Sequence, residues 1–240
     1  MGDVHKRVLI KLSGEFLRED EKENFSAHAL DRLVSTLRRS LEDGLQFGCV
    51  VGAGNIFRGK ESAHMQLDRV IGDQVGMLAT IMNALVVRDA LSRSGVVSHV
   101  MAMNAHVPSV LDHDPLLARS LIAKGEPVFF AGGTGNPYFT TDSAATVRAL
   151  EIQASLLVKS TKVNGVYSED PIYFPDAERF SEISFEQALE RRLKIMDPAA
   201  IALAMEQSLP IFVCKFGEPE SLVEAMQDKS TGTYILPKGK

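Results

Sequence analysis

The sequence has no tryptophan and only two cysteines among its 240 residues. Cys49 and Cys214 each sit in a short apolar run, with no second cysteine close by and no histidine at ligand spacing. We therefore expect two buried strand thiols rather than a disulfide or a metal site. This cysteine usage is typical of a reducing compartment, and it predicts a cytoplasmic protein.

The sequence also lacks a basic tract, a long apolar run and an N-terminal leader pattern. Its formal net charge is -5, which gives nucleic acid no electrostatic attraction. No stretch approaches the roughly 20 apolar residues needed to cross a bilayer, and the first residues lead directly into a predicted strand rather than a signal peptide. We expect a soluble protein with neither a membrane nor a nucleic acid as partner.

What the chain does have is enough apolar residues, 45% of the total, to bury the core of one α/β domain. Short apolar runs alternate with segments of helical periodicity. The predicted strands are 8–12, 47–51, 96–101, 128–131, 156–159, 211–214 and 233–236. The predicted helices lie between Ser26 as N-cap and Gly44, from about 73 to 95, and at 116–124, 143–153 and 197–207. The apolar face of the long second helix is formed by Val75, Leu78, Met82, Leu85 and Val86.

Buried strands that alternate with amphipathic helices predict a mostly parallel sheet covered on both faces. Ligands of such sheets bind at the carboxyl ends of the strands. Glycines cluster at three of those ends, with Gly14 after the first strand, Gly52 and Gly54 after the second, and three glycines at 132–135 after the fourth. The pattern predicts a cleft where backbone N–H groups can approach a phosphorylated ligand.

Two familiar nucleotide motifs are present only in part. Residues 54–61 read GNIFRGKE, which nearly fits a P-loop, but Glu61 replaces the hydroxyl that should hold magnesium. Residues 52–57 begin like a dinucleotide fingerprint, but Phe57 stands where a third glycine must permit close packing. Neither motif explains the glycine clusters.

Six segments, read in order, carry a more specific pattern. They are KLSGE at 11–15, GAGNIFRG at 52–59, GDQVGMLATIMNAL at 72–85, AGGTGNPYFTTDSAA at 131–145, TKVNGVYSEDP at 161–171 and MDPAA at 196–200. Together they resemble the bacterial UMP kinases of the amino acid kinase superfamily. The resemblance implies an α/β, three-layer αβα sandwich on a mostly parallel central sheet, with one domain over 1–240. It also implies a UMP site in the N-terminal half, an ATP site in the C-terminal half and a homohexamer.

The resemblance further implies which residues form the site. The catalytic set is Lys11, Arg58, Asp142, Lys162 and Asp197. The ATP-binding set is Lys11, Leu12, Ser13, Gly14, Gly54, Arg58, Thr161, Tyr167 and Asp170. The UMP-binding set is Ala53, Asp73, Thr134, Gly135, Asn136, Pro137, Tyr138, Phe139, Thr140 and Thr141. We expect Mg²⁺ to arrive with ATP, because the sequence shows no carboxylate cage for the ion.

These residue types suit phosphoryl transfer, since charge spreads over the phosphate oxygens in the transition state and cations must neutralise it. Lys11 ends a predicted strand beside a glycine turn, and Arg58 can grip a phosphate through two hydrogen bonds. From spacing alone, both would be ordinary surface cations. Likewise, Asp142 and Asp197 would be helix N-caps, and Asp73 would stabilise a helix N-terminus.

Two alternatives remain open. One is another kinase of the superfamily with an acyl or carbamate acceptor, although the family uses the loop at 134–141 to recognise uracil. The other is a non-catalytic nucleotide- or oxyanion-binding protein on the same fold. Ala53 leaves room for it, because this chain reads GAGN where the family usually reads GGGN. Many family members are activated by GTP and inhibited by UTP, and Arg88 and Asp89 fit the family's effector region.

Overall fold

The computed structural model describes residues 7–58, 64–103, 106–193, 195–217, 222–228 and 230–237. The strands are β1 (Arg7–Leu12), β2 (Gln46–Val51), β3 (His99–Ala102), β4 (Leu111–Asp112), β5 (Val128–Ala131), β6 (Leu156–Thr161), β7 (Val166–Tyr167), β8 (Arg179–Phe180), β9 (Glu182–Ser184), β10 (Ile211–Lys215) and β11 (Gly232–Leu236). The helices are α1 (Ala27–Glu42), α2 (Arg69–Arg93), α3 (Pro115–Ala123), α4 (Thr141–Glu151), α5 (Phe185–Glu190), α6 (Pro198–Glu206) and α7 (Leu222–Gln227), with a 3-10 helix at Gly14–Leu17. The last residues of the near P-loop, 59–61, lie outside the described ranges.

One nine-stranded sheet organises the molecule, in the order β4-β3-β5-β2-β1-β6-β10-β11-β9. Neighbouring strands run parallel except for β10 and β11. Strands β7 and β8 form a separate antiparallel pair. The order confirms the predicted mostly parallel sheet.

Alternate side chains of each strand feed two hydrophobic cores, one on each face of the sheet. Val8 and Ile10 of β1 pack with α1, α2 and α7, whereas Leu9 packs on the other side with α3, α4, α5 and α6. This alternation follows from the two-residue repeat of a strand. The result is the predicted three-layer αβα arrangement.

Helix boundaries follow their capping residues. Ser26 caps α1 as predicted, since its Oγ accepts a hydrogen bond from the Ala29 N–H. Helix α2 differs from the prediction, because Asp68 caps it and it begins at Arg69. Asp73 therefore lies inside the helix rather than at its N-terminus, so the interpretation of Asp73 as a terminal residue is wrong.

The buried face of α2 matches the predicted apolar face only in part, through Leu85 and Val86, which pack against the core. Ala79, Ala84 and Val87 are buried against the sheet, whereas Leu78 is 62% and Met82 51% exposed. By length and composition alone, α2 is long and apolar enough to cross a membrane, contrary to the sequence prediction. Its contacts with β3 and β5 nevertheless make it part of the outer layer that covers this sheet.

Candidate active site

Two lysines lie side by side on the central strands. Lys11 of β1 and Lys159 of β6 are register partners, so their side chains leave the sheet on the same face. Asp142, in the first turn of α4, pairs with both. Its Oδ1 lies 2.9 Å from Lys11 Nζ and its Oδ2 lies 2.6 Å from Lys159 Nζ. A largely buried carboxylate thus fixes two ammonium groups, and sequence reasoning missed Lys159.

Burial and charge oppose each other in this cluster. Burial raises the pKa of the Asp142 carboxyl, but attraction to Lys11 and Lys159 outweighs it, so the pKa lies below its usual 3.8. For the Lys159 ammonium, burial lowers the pKa below 10.5 although attraction to Asp142 opposes the shift. With both lysines protonated, the three groups carry one net positive charge, which suits the stabilisation of a migrating phosphoryl group.

Asp197 is tied to the beginning of α4. It caps α6, as predicted, by accepting a hydrogen bond from the Ala200 N–H at 3.0 Å. It also accepts hydrogen bonds from the hydroxyls of Thr140 and Ser143. Thr140 is the N-cap of α4, so the alternative interpretation of Asp142 as that cap is wrong. Asp197 thereby fixes the helix end that carries Asp142.

A second cation cluster surrounds Glu15. Its Oε1 lies 2.7 Å from Arg58 Nη2, and its Oε2 lies 2.6 Å from Lys162 Nζ. Hydrogen bonding from Lys162 lowers the pKa of the Glu15 carboxyl below its usual 4.5, so the carboxylate is ionised at neutral pH. Arg58 Nε also donates to the Gly54 carbonyl at 2.6 Å. Glu15 therefore brings Arg58 and Lys162 together, four residues after Lys11.

Close backbone contact at the end of β1 explains Gly14. A Cβ atom at this position would lie 2.3 Å from Asn55 Oδ1 and 2.4 Å from the Gly52 carbonyl oxygen, distances that no side chain tolerates. The glycine-containing loops that follow β1 and β2 thus lie in contact, as predicted. Among the neighbouring predicted ATP-binding residues, the Leu12 side chain is fully buried. Ser13 caps the 3-10 helix.

A cavity of about 430 Å³ lies beside α2 and the loop before α4. The predicted UMP-binding residues that line it are Ala53, Asp73, Phe139, Thr140 and Thr141. The lining residues that were not predicted from the sequence are Phe57, Arg69, Gly72, Gly76, Met77, Thr80 and Gly133. Within the described ranges, the remaining predicted residues, 134–138, belong to the adjoining loop but do not line the cavity.

Asp73 is the charged centre of this cavity, which is called the acceptor cavity below because five predicted UMP-binding residues line it. Its carboxylate pairs with Arg69 Nε at 2.8 Å, and its Oδ2 accepts the backbone N–H of Tyr138 at 2.7 Å. Tyr138 has a φ of 70°, a left-handed conformation that is uncommon for a residue other than glycine. The Arg69 guanidinium carbon lies 5.3 Å from the centre of the Tyr138 ring. Asp73 therefore joins α2 to the predicted base-recognition loop.

Ala53 fits its position without backbone strain. The φ angle of Ala53 is not positive, so the backbone conformation does not require a glycine. Its carbonyl accepts the N–H groups of Ile56 and Phe57 at 2.9 Å. The methyl group simply forms part of the wall of the acceptor cavity.

A second cavity, of about 800 Å³, is lined by Lys159 and Lys162. The predicted ATP-binding residues that line it are Thr161, Tyr167 and Asp170. It is called the donor cavity below because these predicted ATP-binding residues line it. Tyr167 offers an aromatic face, and Lys159 links the cavity to Asp142. The cavity can thus hold a planar base as well as phosphates.

The carboxylates near the lysines suit an ion that arrives with a nucleotide. Across the described ranges, no group of three or more His, Cys, Asp or Glu side chains could hold a metal by itself. Asp142 and Glu15 are already engaged by cations, whereas Asp170 lines the donor cavity. Because Mg²⁺ is usually bound by one or two carboxylates together with substrate phosphates and water, the oxygens present fit Mg²⁺ carried by ATP.

Sequence comparisons identify relatives over nearly the full chain. Residues 6–215 match the amino acid kinase family. A uridylate kinase of Colwellia psychrerythraea is 44% identical over 235 residues, which are 98% of this chain and 95% of the relative. A uridylate kinase of Idiomarina loihiensis is 44% identical over 232 residues, with 96% and 94% of the two chains covered.

Solved structures share the fold. The UMP kinase of Bacillus anthracis superposes with a TM-score of 0.93 at 30% identity, covering 98% of this chain and 97% of that one. The UMP kinase of Ureaplasma parvum gives 0.91 at 31% identity, with 97% and 99% covered. These likenesses confirm the predicted α/β fold class.

Proposed function

The chain belongs to the amino acid kinase family, and we propose that it transfers the terminal phosphate of ATP to the phosphate of UMP, a step of pyrimidine nucleotide biosynthesis. One observation supports the proposal, namely that the Lys11–Asp142–Lys159 cluster joins the walls of two cavities. Thr141 lines the acceptor cavity, its neighbour Asp142 binds Lys159, and Lys159 lines the donor cavity. Two nucleotides held there would direct their phosphates to the same cations.

The reaction needs no general base on the protein. The phosphate of a nucleoside monophosphate has a second pKa of about 6 and is mostly ionised at pH 7. Catalysis then depends on aligning the two phosphates and neutralising the charge between them. Lys11 and Lys159 provide charge at fixed positions, Arg58 provides a planar pair of donors, and Lys162 is 69% exposed and can follow the phosphates. Mg²⁺, when bound with ATP, supplies further charge neutralisation.

The acceptor cavity favours a nucleotide over a small acyl acceptor. The Asp73 carboxylate can accept hydrogen bonds from ribose hydroxyls, as the family resemblance implies. Thr140 and Thr141 can bond to the edge of a planar base, and Phe139, 51% exposed, adds an aromatic surface. A small acyl acceptor would use none of these features.

An acceptor panel tests the proposal. ADP release from Mg²⁺–ATP is measured with UMP, CMP, acetylglutamate, aspartate and carbamate offered separately. We expect release with UMP well above that with the others. A preference for an acyl or carbamate acceptor would indicate another reaction of the family. Tight ATP binding without ADP release on any acceptor would indicate the non-catalytic alternative.

The outward face of α2 supports self-association, which we propose reaches a homohexamer. Ile71, Leu78 and Met82 are 47%, 62% and 51% exposed, and apolar patches of this kind mark contact surfaces. Light scattering after gel filtration should give six times the 26.2 kDa of one chain. Leu78→Glu should reduce that mass, and a monomeric parent protein would contradict the proposal.

Regulation and location form the last part of the proposal. Adding GTP and UTP to the acceptor assay tests activation by the first and inhibition by the second.

Because one sheet carries both cavities, we propose that residues 1–240 act as one catalytic domain. We place this domain in the cytoplasm, where ATP and UMP are available and thiols stay reduced.

A further inference from the structure

Arg148 is a buried arginine behind the acceptor cavity. It lies on α4 and is only 3% exposed. Its Nη1 donates to both Glu151 carboxylate oxygens, at 2.8 and 2.7 Å, and lies 2.8 Å from His113 Nε2. Its Nη2 donates to the Gly133 carbonyl at 3.1 Å. Gly133 lines the acceptor cavity, whereas Arg148 is not among its described lining residues.

Gly133 belongs to a turn held from two sides. The φ angles of Gly132 and Gly133 are 74° and 60°, in the left-handed region that glycine adopts without steric cost. Thr80 Oγ1 accepts the N–H of Gly132 at 2.9 Å. Arg148 holds the Gly133 carbonyl, and the Gly132 carbonyl accepts the N–H of Gly135 at 3.1 Å. The turn is therefore held by one backbone hydrogen bond, one hydroxyl and one guanidinium.

The bond from Arg148 sets the direction of the following backbone donor. A peptide unit is planar and trans, so the Gly133 carbonyl and the Thr134 N–H point in opposite directions. Because the Gly133 carbonyl points towards Arg148, the Thr134 N–H points away from Arg148. Within the described part of the chain, no residue accepts a hydrogen bond from this N–H.

Stability is a weak explanation for this arrangement. Burial raises the pKa of the Glu151 carboxyl, but hydrogen bonds from His113 and Arg148 outweigh it and hold the pKa below its usual 4.5. The pair is thus ionised, and a buried ion pair adds little net stability compared with packed apolar side chains. The Nε of Arg148 is also buried without a partner among the described atoms, which is unfavourable. Control of the Gly133 carbonyl gives the arginine a function.

We propose that Arg148 is a positioning residue for the acceptor nucleotide, which holds the glycine turn so that the Thr134 N–H can donate to UMP. The inference rests on the proposed function, because it assigns this cavity to UMP. Arg148 acts through Gly133 and contacts no reacting atom.

Arg148→Met and Arg148→Lys test the proposal, with Arg119→Met as the matched control. Arg119 Nε donates to the Glu151 carbonyl at 2.6 Å, so it contacts the same end of α4 without reaching Gly133. Losing one hydrogen bond should raise KM for UMP about five- to tenfold in Arg148→Met, with KM for ATP within about twofold. Arg148→Lys should show a smaller rise, since an ammonium cannot reproduce the guanidinium fork. Arg119→Met should match the parent.

An equal rise in KM for both substrates, or an unchanged KM for UMP in a folded Arg148 variant, would overturn the proposal. If the parent protein forms no ADP with UMP, the proposed function fails instead. Hydrogen exchange on the parent needs neither a folded variant nor turnover. UMP should slow exchange at the Thr134 amide, and no protection at saturating UMP would also overturn the proposal.

Discussion

An Asp142→Asn variant keeps the shape of the side chain and removes the charge that holds Lys11 and Lys159. The two ammonium groups, 2.9 and 2.6 Å from the carboxylate, lose their shared counter-ion. Breaking a buried ion pair costs about 3–5 kcal/mol, and because these side chains are partly exposed we expect a loss of stability of about 3 kcal/mol. For a chain of this size each kcal/mol lowers Tm by about 2–4 °C, so we expect a fall of about 6–12 °C at pH 7.

The pH dependence of that fall has a definite sign. In the folded protein the pKa of Asp142 lies below the ordinary value of 3.8. Its ion pairs therefore stabilise the fold fully above the unfolded-state pKa, and the stabilisation is lost as the pH falls through the folded-state pKa. The difference in Tm between parent and variant should shrink below pH 3.8. Thermal denaturation at one fixed protein concentration measures it, because self-association also shifts Tm.

Glu42→Gln is the matched control for this variant. Glu42 is 49% exposed and pairs with Arg38 at 2.9 Å on α1, and exposed pairs add little stability, so its Tm should stay within about 2 °C of the parent. The kcat of Asp142→Asn should fall about 100-fold, because Lys11 loses its fixed position. A parental Tm at pH 7, or a Tm difference that persists unchanged in acid, would refute the reasoning.

Three further predictions concern single side chains. Lys11→Met should lower kcat at least about 100-fold and leave the calorimetric Kd of UMP within about threefold, and a parental kcat would remove Lys11 from the mechanism. Asp73→Asn should raise KM for UMP about tenfold and leave KM for ATP unchanged, and the Glu42→Gln control should match the parent. An equal effect on ATP would contradict this. Burial raises the pKa of the Cys214 thiol to about 12 and also raises that of Cys49. An aromatic disulfide reagent should therefore titrate neither thiol before unfolding, and rapid reaction of the folded protein would show that a thiol is accessible.

Much of the sheet is predictable because buried strands leave a local signal. The apolar runs predict β1, β2, β5, β6 and β10 nearly to their ends. Strands β4, β7, β8 and β9 have only two or three residues each, too few for a two-residue repeat to stand out. Their positions depend on the neighbours they pair with.

Helix α2 shows why periodicity alone did not identify the core. Leu78 and Met82 repeat at helical spacing and predict an apolar face, but the same spacing arises whether that face meets the sheet or the exterior. The buried face is instead built from small residues such as Ala79 and Ala84. The sequence therefore predicts the helix but only part of its core face, since Leu85 and Val86 pack against the core whereas Leu78 and Met82 are exposed.

The cation clusters depend on contacts that no local pattern contains. Asp142 has no lysine or arginine four residues away, and its partner Lys159 lies 17 residues further along the chain. Lys159 stands beside Lys11 only because β1 and β6 pair in this register. Glu15 could have been noticed in the KLSGE segment, but its contacts with Arg58 and Lys162 require the folded chain.

The central claim is that the donor and acceptor phosphates meet at the Lys11–Asp142–Lys159 cluster. Phosphorus NMR of the protein with equimolar ATP and UMP and with Mg²⁺ observes the outcome directly. We predict that the signals of ADP and UDP grow at equal rates while no inorganic phosphate forms. Inorganic phosphate without UDP, or unchanged ATP and UMP, would contradict the account.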